Sequence, residues 1–189
     1  AASITSPQHR KLLRDGDAYD ECLVDIGLEQ LSLVDLPAVD SLHSLSERDG
    51  LLLKYLLWGD RWPPVAAHEA EQPAVPFNPP DVLIQVVDAT ALPRDLELTL
   101  ELSLLGKPLV IALNRIDEAR RKGLYVNAPA LAERLGVPVL PTVAHMGLGV
   151  TELFAAALAV ARDRTLPLAQ TPSPHIASAL EPLRELFKD

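Results

Sequence analysis

The sequence predicts a three-layer α/β domain with a mostly parallel sheet and helices on both faces. Two apolar runs of strand length, Asp81 to Asp88 and Pro108 to Leu113, lack the polar alternation of half-exposed strands. This pattern is typical of strands buried on both faces of a parallel sheet. Stretches with apolar residues at helical spacing separate and follow these runs, so strands and helices alternate along the chain.

The first part of the chain is less regular than the second. Residues 1–20 are polar and poorly patterned, whereas 23–26 and 31–34 alternate at period 2 and predict a β-hairpin. An apolar helix is predicted over 51–57. Residues 58–80 are rich in proline and longer than most internal connections, so we expect an insertion that is a candidate interaction arm.

The second part of the chain continues the strand and helix alternation. The spacing predicts helices over 93–105, 118–122, 128–135 and 150–162, and a strand over 137–143. Residues 1–166 are therefore assigned to one α/β domain. Residues 167–189 are assigned to a Pro/Ser/Thr linker and the start of a further helical segment.

Composition narrows the class of protein. The net charge of −9 argues against non-specific binding to nucleic acid. The single cysteine, Cys22, excludes an internal disulfide and suits a reducing cytoplasm. No apolar run approaches bilayer length and no signal-peptide pattern opens the chain, so we expect a cytoplasmic domain. The five histidines lack metal-ligand spacing, so no metal site is predicted from them.

Polar side chains lie at or just past the ends of four predicted strands: Asp35, Asp88, Asn114 and Thr142. Ligands of open α/β sheets bind at the carboxyl ends of the strands, so this edge is the candidate site. Asn114 could bond a purine edge, and Asp117 could accept from the two guanine nitrogens that carry hydrogen. For Asp88 a simpler interpretation, a turn or helix-capping residue, stays open.

Long consecutive runs of the chain carry a resemblance to a known family. They are 34–42, 80–90, 98–102, 106–119, 131–139 and 141–142. They resemble the G domain of the ferrous iron transport protein B (FeoB) family, and the similarity covers roughly residues 31–57 and 80–160. Residues Asp35 to Ala38 resemble the Asp-Leu-Pro-Gly switch motif of that family.

The resemblance implies a guanine-nucleotide-binding domain, with GTP or GDP as ligand, that regulates ferrous iron transport. The implied partner is a membrane permease, in the same chain or separate, which would tether the domain to the inner membrane. A homo-oligomer is left open. Base-binding residues carried over by position are Asn114, Arg115 and Asp117 by their side chains and Thr142, Val143 and Ala144 by their backbone. Asp35 would lie in the outer coordination sphere of Mg²⁺.

The phosphate-binding half of such a site departs from the family pattern. Lys11 aligns with the phosphate-loop lysine, but Arg10 and Leu12 replace its glycine and its Mg²⁺-binding hydroxyl. Ala38 replaces the switch glycine, and no threonine occurs between Thr5 and Thr90 to serve as the switch ligand. These departures disfavour binding of Mg²⁺ and predict impaired GTP hydrolysis. The sequence therefore leaves open whether the protein is an active GTPase.

Three hypotheses follow from this combination. The first is a FeoB-like guanine-nucleotide-binding domain with impaired catalysis. The second is a non-catalytic protein-interaction domain on the same scaffold, which would use the proline-rich arm. The third is an active GTPase whose phosphate loop lies in a segment outside these 189 residues.

Overall fold

The structure of the chain is a computed structural model that describes residues 8–14, 17–26, 29–36, 38–42, 56 and 79–168. The strands are β1 (Gln8–Arg14), β2 (Asp17–Ile26), β3 (Glu29–Asp35), β4 (Leu83–Asp88), β5 (Leu109–Asn114) and β6 (Val139–Pro141). The helices are α1 (Leu92–Ser103), α2 (Ile116–Arg121), α3 (Ala128–Leu135) and α4 (Val150–Asp163), with a 3₁₀ turn at Ala144–Met146.

A parallel sheet of order β4-β5-β6 lies at the centre of the described fold. Alternate residues of β5 face opposite sides of it. Ile111 and Leu113 pack in the cluster that α1 and α3 cover, and Val110 packs in the cluster that α4 covers. The predicted parallel sheet with helices on both faces is therefore confirmed.

Strand β4 differs from the expectation of burial on both faces. Leu83, Gln85 and Val87 are buried, but Val86 between them is 64% exposed. The reason is position: β5 lies between two strands, whereas β4 lies at an edge of the described parallel sheet. An uninterrupted apolar run does not distinguish these two positions.

The first three strands form an antiparallel sheet of order β1-β2-β3. The predicted hairpin is confirmed, because the runs 23–26 and 31–34 lie within β2 and β3. No strand was predicted within residues 1–20, but β1 and the first residues of β2 lie there. These segments carry mainly polar residues, so their strand conformation leaves no apolar alternation to detect.

Both sheets contribute to one hydrophobic core. Val34 of β3, and Leu36, Val39 and Leu42 after it, pack against the cluster that contains Leu113. The predicted helix over 51–57, apart from Leu56, lies outside the described residues, as do 57–78 and 169–189. The domain boundaries therefore stay predictions.

The elements of the second part match the predictions, with shifts at their ends. Helix α2 starts two residues earlier than predicted, at Ile116, and β6 is shorter than the predicted 137–143. The strand ends early because Val143 leaves the parallel ladder and pairs in an isolated bridge with Leu148. No helix in the described ranges has both the length and the apolar character needed to cross a bilayer.

Candidate functional site

The carboxyl ends of β4, β5 and β6 bring three of the predicted site residues together. Asp88 and Asn114 are direct partners in the β4–β5 ladder. Leu113 pairs with Pro141, so Thr142 follows at the same edge. Asp35 ends β3 in the other sheet, and its side chain is exposed. Within the described residues no hydrogen bond or ion pair joins Asp35 to Asn114.

Asn114 is held by the loop that follows β6. Its Oδ1 atom accepts from the backbone N–H of Ala144 at 3.0 Å and from the hydroxyl of Thr142 at 3.4 Å. Thr142 itself is only 2% exposed, and its N–H donates to the carbonyl of Leu113 at 2.9 Å. The Nδ2 group of Asn114 has no acceptor among the described residues, so its two hydrogens remain available to a ligand.

The backbone of this loop is largely committed to internal hydrogen bonds. The N–H of Val143 donates to the carbonyl of Leu148 at 3.0 Å. The N–H of Thr142 donates to Leu113, and the N–H of Ala144 donates to Asn114. The N–H of His145 is the next in the chain, and no described residue accepts from it. This N–H group could not be predicted from sequence, because a backbone donor leaves no signal in residue type.

Asp117 carries an incompletely satisfied carboxylate. Its Oδ2 atom accepts from Arg121 at 2.9 Å, one turn further along α2. Its Oδ1 atom is buried and has no hydrogen-bond partner in the part of the chain that the structure describes. A buried acceptor without a donor costs about 1–3 kcal/mol, so Asp117 is an energetically unsatisfied group at this edge of the sheet.

Arg115 lies between two carboxylates. Its guanidinium donates to Asp88 Oδ2 at 2.7 Å and also to Glu118. The other oxygen of Asp88 accepts from the N–H of Thr90 at 2.8 Å, so Asp88 is both a turn residue and an ion-pair partner. Burial raises the pKa of Asp88, but the hydrogen bonds from Thr90 and Arg115 outweigh it and leave that pKa below its ordinary value.

The residues aligned with the phosphate-binding half do not form a phosphate loop. Lys11 lies in the middle of β1, opposite Asp20 of β2, so it does not open a helix. A phosphate loop places its lysine at a helix start, so the role aligned with Lys11 stays a prediction. Ala38 is exposed in the segment that follows β3.

Comparison with known proteins adds the family. Residues 19–157 match the family described as ferrous iron transport protein B. This chain belongs to the FeoB family. The predicted family resemblance is confirmed.

Curated FeoB relatives are much longer than this chain. The Fe(2+) transport protein A/Fe(2+) transporter FeoB fusion protein of Porphyromonas gingivalis is 35% identical over 135 residues, which is 71% of this chain and 14% of the relative. The Fe(2+) transporter FeoB of Escherichia coli is 38% identical over 128 residues, 66% of this chain and 14% of the relative. The chain therefore spans about a seventh of these relatives.

Solved FeoB structures share the fold. The FeoB G-domain from Methanococcus jannaschii has a TM-score of 0.63 at 31% identity, covering 76% of this chain and 80% of that one. A variant of S. thermophilus NFeoB bound to GDP has a TM-score of 0.70 at 26% identity, covering 96% and 63%. The fold of this chain is that of a FeoB G domain.

Proposed function

We propose that this chain binds a guanine nucleotide through its base at the carboxyl ends of β4, β5 and β6. The observation that carries the proposal is the buried Oδ1 atom of Asp117, which has no donor among the described residues. Guanine presents two adjacent nitrogens that carry hydrogen, and the second of them could share Oδ2, which keeps a free lone pair beside Arg121. A charge-assisted contact of this kind is worth about 1.5–3 kcal/mol.

The neighbouring groups complement the opposite edge of guanine. The Nδ2 group of Asn114 would donate to the purine N7 atom, and the N–H of His145 would donate to the O6 atom. Adenine carries an amino group in place of O6 and no hydrogen on N1. A site with acceptors at Asp117 and donors at Asn114 and His145 therefore favours guanine over adenine.

We also propose that these 189 residues hydrolyse GTP slowly. Phosphoryl transfer depends on positioned cations and backbone N–H groups around the phosphates. The Gly-Lys pair at Gly106 is followed by Pro108 and enters β5, and Lys11 lies within β1. Asp35 is exposed, and the described residues contain no group of three or more His, Cys, Asp or Glu side chains that could hold a metal ion, so no step is assigned to Mg²⁺.

The descriptions of the relatives support a proposal for the cellular role of this domain. The curated proteins it matches are described as Fe(2+) transporters, and the S. thermophilus relative was solved with GDP. We propose that the domain regulates ferrous iron passage from the cytoplasmic side. Its partner would be a permease in the same protein or a separate chain.

Calorimetric titration of the chain with GDP, GTP and ADP tests base recognition. We expect GDP to bind and ADP to bind at least about tenfold more weakly. The substitution Asp117→Asn should weaken GDP binding about 10- to 100-fold, because an amide repels the donor nitrogens of guanine. It should improve binding of xanthosine diphosphate, whose C2 carbonyl accepts from that amide.

The matched control is Asp163→Asn, which makes the same chemical change at the exposed end of α4. It should leave the affinity of the chain for GDP and for xanthosine diphosphate unchanged. Unchanged GDP affinity in Asp117→Asn, or no GDP binding at millimolar nucleotide, would contradict the proposal.

A further inference from the structure

Helix α1 begins beside the end of β4, and Asp95 in its first turn is attached to that strand. The Oδ2 atom of Asp95 accepts from the backbone N–H of Asp88, the last residue of β4, at 2.7 Å. The N–H groups of Leu83 and Ala89 donate towards the β5 side, so the N–H of Asp88 lies on the other side of the strand. The carboxylate of Asp95 therefore takes the place of a ladder partner at this strand end.

The backbone of Asp95 is fixed to the interior of the protein as well. Its carbonyl accepts from the Nε2 group of Gln85 at 3.0 Å and from the hydroxyl of Thr99 at 3.1 Å. Both of these donor residues are buried, and the side chain of Asp95 itself is only 15% exposed. Buried hydrogen bonds to its own backbone therefore help to set the position of this carboxylate, in addition to its contact with Arg94 at the surface.

Asp88 connects this attachment to the residues that would bind the base. Its carboxylate accepts from Arg115 at 2.7 Å, and the N–H of the next residue, Ala89, donates to the carbonyl of Asn114 at 2.9 Å. Arg115 is the N-cap of α2, and Asp117 is the second residue of that helix. A displacement of Asp88 would therefore disturb the backbone of Asn114 and the start of the helix that carries Asp117.

We propose that Asp95 is a positioning residue for guanine recognition. The inference rests on the proposed function, that the base binds at Asn114 and Asp117. Asp95 would act through Asp88, whose backbone it holds at the end of β4, and not by touching the base. A binding site needs its hydrogen-bonding groups placed to within about 0.5 Å, so a small shift of this strand end is enough to weaken recognition.

Titration of the chain with GDP and with inosine diphosphate tests this role. The two ligands carry the same phosphates, but inosine lacks the 2-amino group that would donate to Asp117. The ratio of GDP affinity to inosine diphosphate affinity, here called the base ratio, therefore reports on the placement of Asp117. We expect a base ratio of about ten in the wild type. In Asp95→Ala the affinity for GDP should fall about 5- to 20-fold, and the base ratio should fall below about three.

The variant Asp95→Asn separates the acceptor from the charge. The Oδ1 atom of an asparagine can still accept from the N–H of Asp88, and Arg94, whose side chain is largely exposed, can turn towards solvent. This variant should keep the GDP affinity and the base ratio within about twofold of the wild type. The matched control Glu97→Ala removes an exposed carboxylate from the same helix and should also stay within about twofold.

Two further measurements separate positioning from a general loss of stability. Val160→Ala truncates a buried side chain in the cluster that contains Val110 of β5, on the α4 side of the sheet. It should lower the Tm and leave the GDP affinity and the base ratio unchanged. In Asp95→Ala, but not in Asp95→Asn, the amides of Asp88 and Ala89 should exchange with deuterium about tenfold or more faster than in the wild type. This exchange measurement needs no nucleotide.

Circular dichroism shows whether each variant is folded. If Asp95→Ala does not fold, Asp95→Ser replaces it, because the serine hydroxyl ends one bond short of the Oδ2 position that accepts from Asp88.

The outcomes separate this inference from the proposed function. An unchanged GDP affinity and base ratio in Asp95→Ala would overturn the role of Asp95 and leave base recognition standing. Equal losses in Asp95→Ala and Asp95→Asn would show that the hydrogen bond to Asp88 is not what positions the site, which also overturns the inference. No binding of GDP to the wild type would reject base recognition, and with it the role of Asp95 in recognition, even if the amide of Ala89 exchanges faster in Asp95→Ala.

Discussion

Arg115 adopts a backbone conformation that its residue type disfavours. Its φ angle is 59°, in the left-handed region, where a residue with a Cβ atom is strained. The side-chain contacts to Asp88 and Glu118 offset that strain and fix the start of α2, where Asp117 follows. Spacing alone placed Asn114 and Asp117 at a strand end. It gave no sign of the ion pair between Arg115 and Asp88, because that contact joins residues 27 positions apart.

The carboxylate of Asp88 makes stability depend on pH in a defined direction. Burial raises its pKa, but the hydrogen bonds from Thr90 and Arg115 lower it below its ordinary value of 3.8. The folded state therefore holds this group charged at a lower pH than the unfolded state does. Its contribution is complete above the unfolded pKa and is lost as pH falls through the folded pKa.

We expect the difference in unfolding free energy between the wild type and Asp88→Asn to be constant from about pH 7 to about pH 5. Below about pH 4 this difference should shrink. Urea unfolding followed by circular dichroism across this range measures it. If this difference in unfolding free energy instead grows as the pH falls, the predicted direction of the pH dependence is wrong.

The turn that opens α4 supports the loop that holds Asn114. Gly149 precedes the helix with a φ of 76°, and a Cβ atom there would meet the carbonyl oxygen of Pro141 at 2.3 Å. Gly147 has a φ of 70°, but a Cβ atom there would meet nothing within 4 Å. A substitution at Gly147 would therefore introduce backbone strain alone, whereas one at Gly149 would add a steric conflict with the end of β6.

We expect Gly149→Ala to lower the free energy of unfolding by about 2–4 kcal/mol, through left-handed strain and displacement of Pro141. Gly147→Ala should cost only about 1–2 kcal/mol, since it carries the strain alone. Urea unfolding of both variants measures the difference. Equal losses would mean that the contact with Pro141 does not constrain the turn. Gly149→Ala should also weaken guanine binding more than Gly147→Ala, because Thr142 follows Pro141.

Helices and strands whose own residues show a clear apolar pattern or a capping residue were predictable from sequence. Helix α3 was expected at 128–135 and ends at Gly136 with a φ of 68°, because glycine adopts that cap conformation freely. Strand β5 was predictable because both of its faces are buried. Strand β1 was not, since its conformation is set by pairing with β2 and not by an apolar pattern. The exposure of Val86 also depends on which strands lie beside β4, which periodicity does not encode.

The antiparallel and parallel sheets are joined by contacts that no local pattern predicts. Glu101 of α1 accepts from the hydroxyl of Ser41 at 2.7 Å and from the backbone N–H of Leu42. These contacts span about 60 positions of sequence and hold the segment after β3, the one that resembles a switch motif, against the helix. The strand ends of the candidate site could be predicted residue by residue, but the attachment of this segment to α1 could not.

Replacing Glu101 should loosen that attachment. In Glu101→Ala we expect the amide of Leu42 to exchange with deuterium about tenfold or more faster than in the wild type, because its acceptor is gone. The free energy of unfolding should fall by about 1–3 kcal/mol, the usual cost of losing hydrogen bonds to a charged acceptor. Glu97→Ala, one turn earlier on the same helix and exposed, is the matched control and should change neither quantity. If the Leu42 amide keeps its protection in Glu101→Ala, the segment after β3 is held by its apolar side chains, Val39 and Leu42, and the carboxylate is dispensable.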